Sequence, residues 1–426
     1  MTTAQYGAKM IFDFCKTIID KHGPRLPGSD EEKAAQKDIA AIMEEATGVK
    51  PTVEKFTLAP RASIGAIPYL GYAGFIALAL YYIHPIASFV VSLCTLLFAV
   101  VQVFTYKGWF DKFFKQEESC NVYSVMDGKG EIDHTIVFSG HADSSWLWQM
   151  AAKNPKTMIL RTVYGVVGVV SIIIGSLLRI YISFSDSLKT ASNFSLDWAF
   201  GITIFELILL IIPLLFIPGI YSLCIYLSHD KKKASPGAMD NLTGVGASIF
   251  MGKYFKENPD KLPDNCRVII ASLGSEEAGL KGSEAFMKAH AGDKDLLINP
   301  YFFNIDSLRD YEHFNAVKGD SWLMSKFDDD MKNMLVKAFE NAGVKPNIIV
   351  NPVGGCDSTP ICRAGYKTIT FAAQKPDVTD YYHTYRDTCD GLDMNTLEKS
   401  VDIIIDVTEQ IHEHHKKNGY KLTKCK

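Results

Sequence analysis

From Ala62 to Tyr106 the chain carries 45 consecutive residues without Asp, Glu, Lys or Arg, bounded by Arg61 and Lys107. A helix that crosses a bilayer takes about 20 apolar residues, so this block holds two spans and turns near His84 and Pro85. The pattern returns further on. Thr162 to Leu178 is uncharged, Arg179 interrupts near one end, and Leu207 to His229 is uncharged again behind Glu206. Soluble cores do not need uncharged runs of this length, so both blocks are expected to be inserted transmembrane helical hairpins, at 62–106 and 162–229. Pro213 and Pro218 are expected to kink the last span.

Two hairpins return the chain to its starting side, so 1–61, 107–161 and 230–426 are expected to assemble one split soluble domain. Near the span ends on that side sit Arg61, Lys107, Lys112, Lys115, Lys153, Lys156, Arg161 and the run Lys231, Lys232, Lys233. The opposite loops carry Lys189, with Arg179 placed to snorkel outward. This bias predicts an integral membrane protein with four spans and a cytoplasmic soluble domain. Met1 to Thr17 holds Lys9 and Asp13 and lacks an apolar run of signal-peptide length.

In the soluble segments, Ser29 followed by Glu32 makes a capping box that opens a helix to about Glu45, with Ala34, Ile39, Ile42 and Met43 as its apolar stripe. Thr52 to Leu58 alternates as a strand does. Short apolar runs of strand length follow at Thr135 to Phe138, Val268 to Leu273, Tyr301 to Ile305 and Thr368 to Phe371. Helical patterns lie between them, at about Leu242 to Phe255, Ser283 to Ala289, Trp322 to Asn341 and Leu397 to Lys416. This alternation predicts an α/β fold, a three-layer, mainly parallel sheet flanked by helices.

Hydrophobic residues make up 47% of the 426 and charged residues 22%, which excludes a disordered chain. Lys and Arg number 44 against 48 Asp and Glu, a net charge of -4, so no basic field grips nucleic acid. The nine cysteines are scattered without a CxxC pair, which fits a reducing compartment.

Ligands of parallel sheets bind beyond the carboxyl ends of the strands. There the chain places His141-Ala142-Asp143, Glu276-Glu277, Asp306 and Tyr382-His383, with Asp240-Asn241 at a helix start. Two imidazoles and several carboxylates suit zinc, and a carboxylate can bridge two ions that share a water.

The motifs are HAD at His141 to Asp143, MDNLTGVG at Met239 to Gly246, SEEAGLKGS at Ser275 to Ser283, NIDS at Asn304 to Ser307, GGCDSTP at Gly354 to Pro360 and YHTYRDT at Tyr382 to Thr388, preceded by GPRLPGSDEEKAAQ at Gly23 to Gln36. In kind and order they resemble the two-zinc aminopeptidases of the zinc-dependent exopeptidase superfamily, whose relatives include glutamate carboxypeptidases, glutaminyl cyclases and the transferrin receptor. The resemblance covers nearly all of the chain outside the hydrophobic blocks, and it implies the zinc-exopeptidase, phosphorylase/hydrolase-like fold with two co-catalytic zinc ions. It puts His141 and Asp306 on one ion, Glu277 and His383 on the other, and Asp240 between them. Glu276 is then the general base, Asp143 orients His141, and Tyr382 donates to the oxyanion. Glu276 and Glu277 can divide these roles only off a regular strand, and Gly274 is expected to provide the turn.

Two departures bear on substrate. From His141 to Asp240 is a step of 99 positions, filled by the second hairpin, which brings the bilayer near the site and suggests hydrophobic or membrane-derived peptides as substrates. CDST at Cys356 to Thr359 stands where many relatives have His after the Asp. His412, His414 and His415 read as a solvated helix end, and Gly244-Val245-Gly246 as helix-start packing. The activity expected is aminopeptidase hydrolysis of peptides. The alternatives are carboxypeptidase action, with Arg386 a weak candidate for the substrate carboxylate, a glutaminyl cyclase-like acyltransferase, and a non-catalytic membrane scaffold.

Overall fold

Short apolar strands build one sheet in the computed structural model, which describes residues 1–184 and 204–422. Lys189 lies outside the described residues. The chain divides into two units, one of Met1–Arg61, Asp111–Leu147 and His229–Lys426, the other of Ala62–Phe110 and Trp148–Ser228.

Among its described residues the first unit holds nine strands: β1 (Thr52–Leu58), β2 (Glu117–Asp127), β3 (His134–His141), β4 (Cys266–Leu273), β5 (Pro300–Leu308), β6 (Phe314–Asp320), β7 (Ser325–Lys326), β8 (Asn347–Asn351) and β9 (Lys367–Ala373). Their order is β1-β2-β4-β3-β5-β9-β6-β7, with β8 beside β6. The four central strands β4, β3, β5 and β9 are parallel, while β1, β2 and β6 join antiparallel at the flanks. The period of two sorts side chains between two faces. Ile136, Phe138, Ile270 and Phe303 enter one apolar cluster with Ile11, Ile39, Phe250, Leu335 and Ile404, residues of five helices. Val137, Ile269 and Phe302 enter another with Phe286 and Ile361. The three-layer α/β architecture is therefore present.

The helices at Asp30–Thr47, Thr243–Glu257, Lys281–His290 and Met394–Asn418 fall where the sequence patterns put them. The helix expected from Trp322 starts instead at Asp329, because Asp328 caps it through Met331 N and the preceding residues turn into β7. The capping box at Ser29 is half formed. Ser29 Oγ accepts from Glu32 N, but the Glu32 carboxylate is buried and turns inward.

Among the described residues of the second unit, four helices are long and apolar enough to cross a membrane: Ile64–Ile83, Pro85–Phe104, Pro155–Phe184 and Glu206–Cys224. His84 adopts extended backbone between the first two, and the last is broken at Phe216, between Pro213 and Pro218. Their packing inverts the soluble pattern: Gly165, Gly168, Gly175 and Ser176 face the neighbouring helices, while Val163, Val167, Ile174 and Leu177 point outward. Backbones approach closely there, for a Cβ on Gly165 would sit 2.6 Å from the Gly219 carbonyl oxygen. Arg179 does not simply snorkel. Its guanidinium lies 4.9 Å from the Tyr81 ring centre and donates to the Tyr81 carbonyl, so it has partners within the helix bundle.

Candidate metal centre

Local backbone geometry turns the polar residues into one crevice at the carboxyl ends of the parallel strands. His141 is the last residue of β3, and Asp306 lies near the end of β5. Ser275, Ser307 and His383 adopt left-handed backbone, with φ of 54°, 63° and 55°, beside or at the residues they present. Ser275 therefore makes the turn expected of Gly274. The glycine serves close approach instead, since a Cβ there would meet the Cys120 carbonyl oxygen at 2.5 Å. Glu276 and Glu277 stand in the short 3-10 turn that follows, off the strand. Asp240 precedes the helix Thr243–Glu257, and the Asp240–Asn241 peptide is cis. At Gly244 a Cβ would lie 2.2 Å from the Ile305 carbonyl oxygen, so this glycine lets the helix start sit against β5.

The side chains converge as two groups that share one carboxylate. Asp240 Oδ1 lies 3.1 Å from His141 Nε2, and Oδ2 lies 3.0 Å from His383 Nε2. His383 Nε2 is also 3.0 Å from Glu277 Oε1, and His141 Nε2 is 4.0 Å from Asp306 Oδ1. His141, Asp240 and Asp306 thus form one potential metal-binding group, and Asp240, Glu277 and His383 the other. Glu276 Oε2 is 4.0 Å from His141 Nε2. The Tyr382 ring stacks on His383 with centroids 3.9 Å apart. Asp143 Oδ1 lies 3.3 Å from His141 Nδ1, and its carboxylate accepts from Glu276 N (2.9 Å) and Glu277 N (3.0 Å).

Charge in the crevice is unbalanced. Burial pushes Glu276 well above the usual carboxylate range, and it raises Glu277 as well. Burial and then the Asp240 charge bring Asp306 to about 7. Against burial, which alone would lower it, Glu277 and Asp240 raise His383 to about 10. So many buried carboxylates around two imidazoles call for cations, and the nitrogen and oxygen donors suit zinc.

Residues of the sequence motifs that were not expected to support the site complete the surroundings. Asp357, buried and raised to about 6 by burial, faces the site, where its charge acts on Glu276 and Asp306. Asp387 accepts from Met239 N and Asp240 N. Arg25, fully buried, donates to the carbonyls of Gly23, Ala142, Pro236 and Gly237. Glu32 accepts from Gly28 N and from Ser275 N and Oγ. Their signal was the clustering of polar residues in GPRLPGSDEEKAAQ, GGCDSTP and YHTYRDT.

The profile of Peptidase family M28 matches residues 223–408. The fold is similar to that of BSAP, a zinc aminopeptidase from Bacillus subtilis, with a TM-score of 0.55, 14% identity, and coverage of 95% of this chain and 94% of that one. It is similar to a Bacteroides thetaiotaomicron glutaminyl cyclase bound to N-acetylhistamine, with a TM-score of 0.52, 16% identity, and coverage of 94% and 96%. An aminopeptidase from Aneurinibacillus sp. strain AM-1 gives a TM-score of 0.54, 12% identity, and coverage of 96% of both chains. No curated protein matches the sequence. The resemblance to the two-zinc exopeptidases therefore holds over residues 223–408, which carry the motifs from MDNLTGVG to YHTYRDT, and in the fold.

Proposed function

We propose that the chain is a membrane-anchored metallo-aminopeptidase whose site holds two zinc ions, one with His141 and Asp306, one with Glu277 and His383, and Asp240 between them. The observation that carries this reading is the Asp240 carboxylate, with one oxygen toward each imidazole. Bound there, the ions supply Lewis acidity and lower the pKa of a water toward neutrality.

The chain's own residues do the rest. With cations bound to offset the burial that raises its carboxyl, Glu276 would be the base that accepts a proton from the attacking water and returns it to the leaving amine. Asp143 holds the Glu276-Glu277 backbone through two N–H groups and stands beside His141 Nδ1. Tyr382 stays protonated, because burial and the nearby carboxylates push its phenol up, and so remains a donor for the oxyanion.

The four long apolar helices support anchoring in the bilayer as two hairpins, and the cationic residues flanking them favour a cytoplasmic catalytic domain. Hydrophobic or membrane-derived peptides are the substrates favoured by the place of the second apolar block in the sequence, between His141 and Asp240. Likeness to glutaminyl cyclases favours acyl transfer as the second reading. Detergent-purified full chain is expected to hydrolyse aminoacyl-nitroanilides, and Glu276→Ala to abolish this. Cyclisation of N-terminal glutaminyl peptides without hydrolysis would favour the second reading. No turnover of either substrate by zinc-loaded protein would refute the enzymatic one.

A further inference from the structure

We infer that a third zinc site lies at the opposite end of β3, formed by Asp133, His134 and His415. The helix Met394–Asn418 is not a solvated end at this point: His415 is 9% exposed and His134 is fully buried. The two rings stack at 4.5 Å and 17°. Asp133 Oδ1 is approached by both, at 2.5 Å from His134 Nδ1 and 3.6 Å from His415 Nε2. Three donor atoms from two separate elements thus lie within 4.8 Å of one another.

The atoms not facing that point have their own partners. His134 Nε2 is 3.3 Å from His412 Nδ1, His415 Nδ1 is 3.2 Å from the Tyr301 hydroxyl, and Asp133 Oδ2 accepts from Asn265 Nδ2 at 2.6 Å. Metal-bound imidazoles and carboxylates need such outer hydrogen bonds, which fix the tautomer and aim the donor. Two nitrogens and one oxygen suit zinc, with water completing four-coordination on the exposed side of Asp133. From His134 to His141 the strand rises roughly 23 Å at about 3.3 Å per residue, so this ion is separate from the catalytic pair. Its role is to clamp the last long helix to the strand that presents His141.

The test is zinc content and melting temperature of detergent-purified full chain, for wild type, His415→Gln and Asp133→Asn. Each variant is expected to hold one zinc fewer per chain than wild type and to lose the part of the zinc-dependent rise in melting temperature that this site supplies. Asp240→Asn, which alters only the catalytic centre, should keep this ion, so a failure of the aminopeptidase reading leaves the count at this site unaffected. Asp133 is half exposed, so Asp133→Asn folds even if His415→Gln does not. Equal zinc content in wild type and folded Asp133→Asn would overturn the inference.

Discussion

The Asp387 carboxylate accepts hydrogen bonds from the backbone N–H groups of Met239 (2.8 Å) and Asp240 (3.1 Å), so the loop bearing the shared carboxylate is held from behind. Asp387 lies in the same YHTYRDT segment as His383, and one segment thereby supplies a donor and fixes the position of another. Replacing Asp387 by Ala should weaken zinc binding about 10- to 100-fold while leaving the fold intact. Competition with a chromophoric chelator measures this. Unchanged affinity would mean that the loop needs no such support.

Arg25 joins the two sides of the inserted hairpin, for its guanidinium donates to Ala142 on one side and to Pro236 and Gly237 on the other. A lysine keeps the charge but presents one point instead of a planar fork. Arg25→Lys should therefore leave buried carbonyls unsatisfied and destabilise the soluble unit by about 3 kcal/mol. Chemical denaturation followed by tryptophan fluorescence checks the loss. A variant as stable as wild type would show that the carbonyls find other donors.

Asp320 gives the pH dependence. Burial brings its carboxyl to about 6, although Cys356 N and the Thr359 hydroxyl donate to it. A folded pKa above the unfolded value near 3.8 favours the protonated form, so the stabilisation is complete below pH 3.8 and is lost as pH rises through 6. Between pH 4 and pH 7 wild type should lose about 2 kcal/mol relative to Asp320→Asn, which has no charge to form. Parallel pH curves for the two proteins would contradict the assignment.

Val167 and Ile174 face outward from the helix Pro155–Phe184. On a soluble protein, Arg at these positions would be harmless. In a bilayer each costs about 2.5–3.5 kcal/mol at mid-span, so the double substitution should reduce the membrane-bound fraction after carbonate washing. Full retention of the variant would argue that this helix does not cross the membrane.

Apolar runs were the legible part of this sequence. The parallel strands and the hairpin turn at His84 stand out because their residues are apolar on both sides or uncharged throughout. Strand β2 does not stand out, although it pairs on both edges. Its Ser119, Asn121 and Ser124 are buried polar residues, and Asn121 bonds the backbone of Gly274 and Gly282, which breaks the apolar alternation. The donor residues were legible through their motifs and their places at strand ends. The roles of Arg25, Glu32 and Asp387 were not, because each acts on backbone groups distant in sequence. His415 reads as surface in a run of His and Lys, and only the packing against His134 buries it.

The central claim is that Asp240 lies between two bound cations. Anomalous diffraction at the zinc edge, from crystals of the zinc-loaded full chain, tests it most directly. The account predicts two peaks about 3.5 to 4 Å apart, one on the His141 and Asp306 side of Asp240 and one on the Glu277 and His383 side. A single peak at this centre, or two that do not flank Asp240, would contradict it.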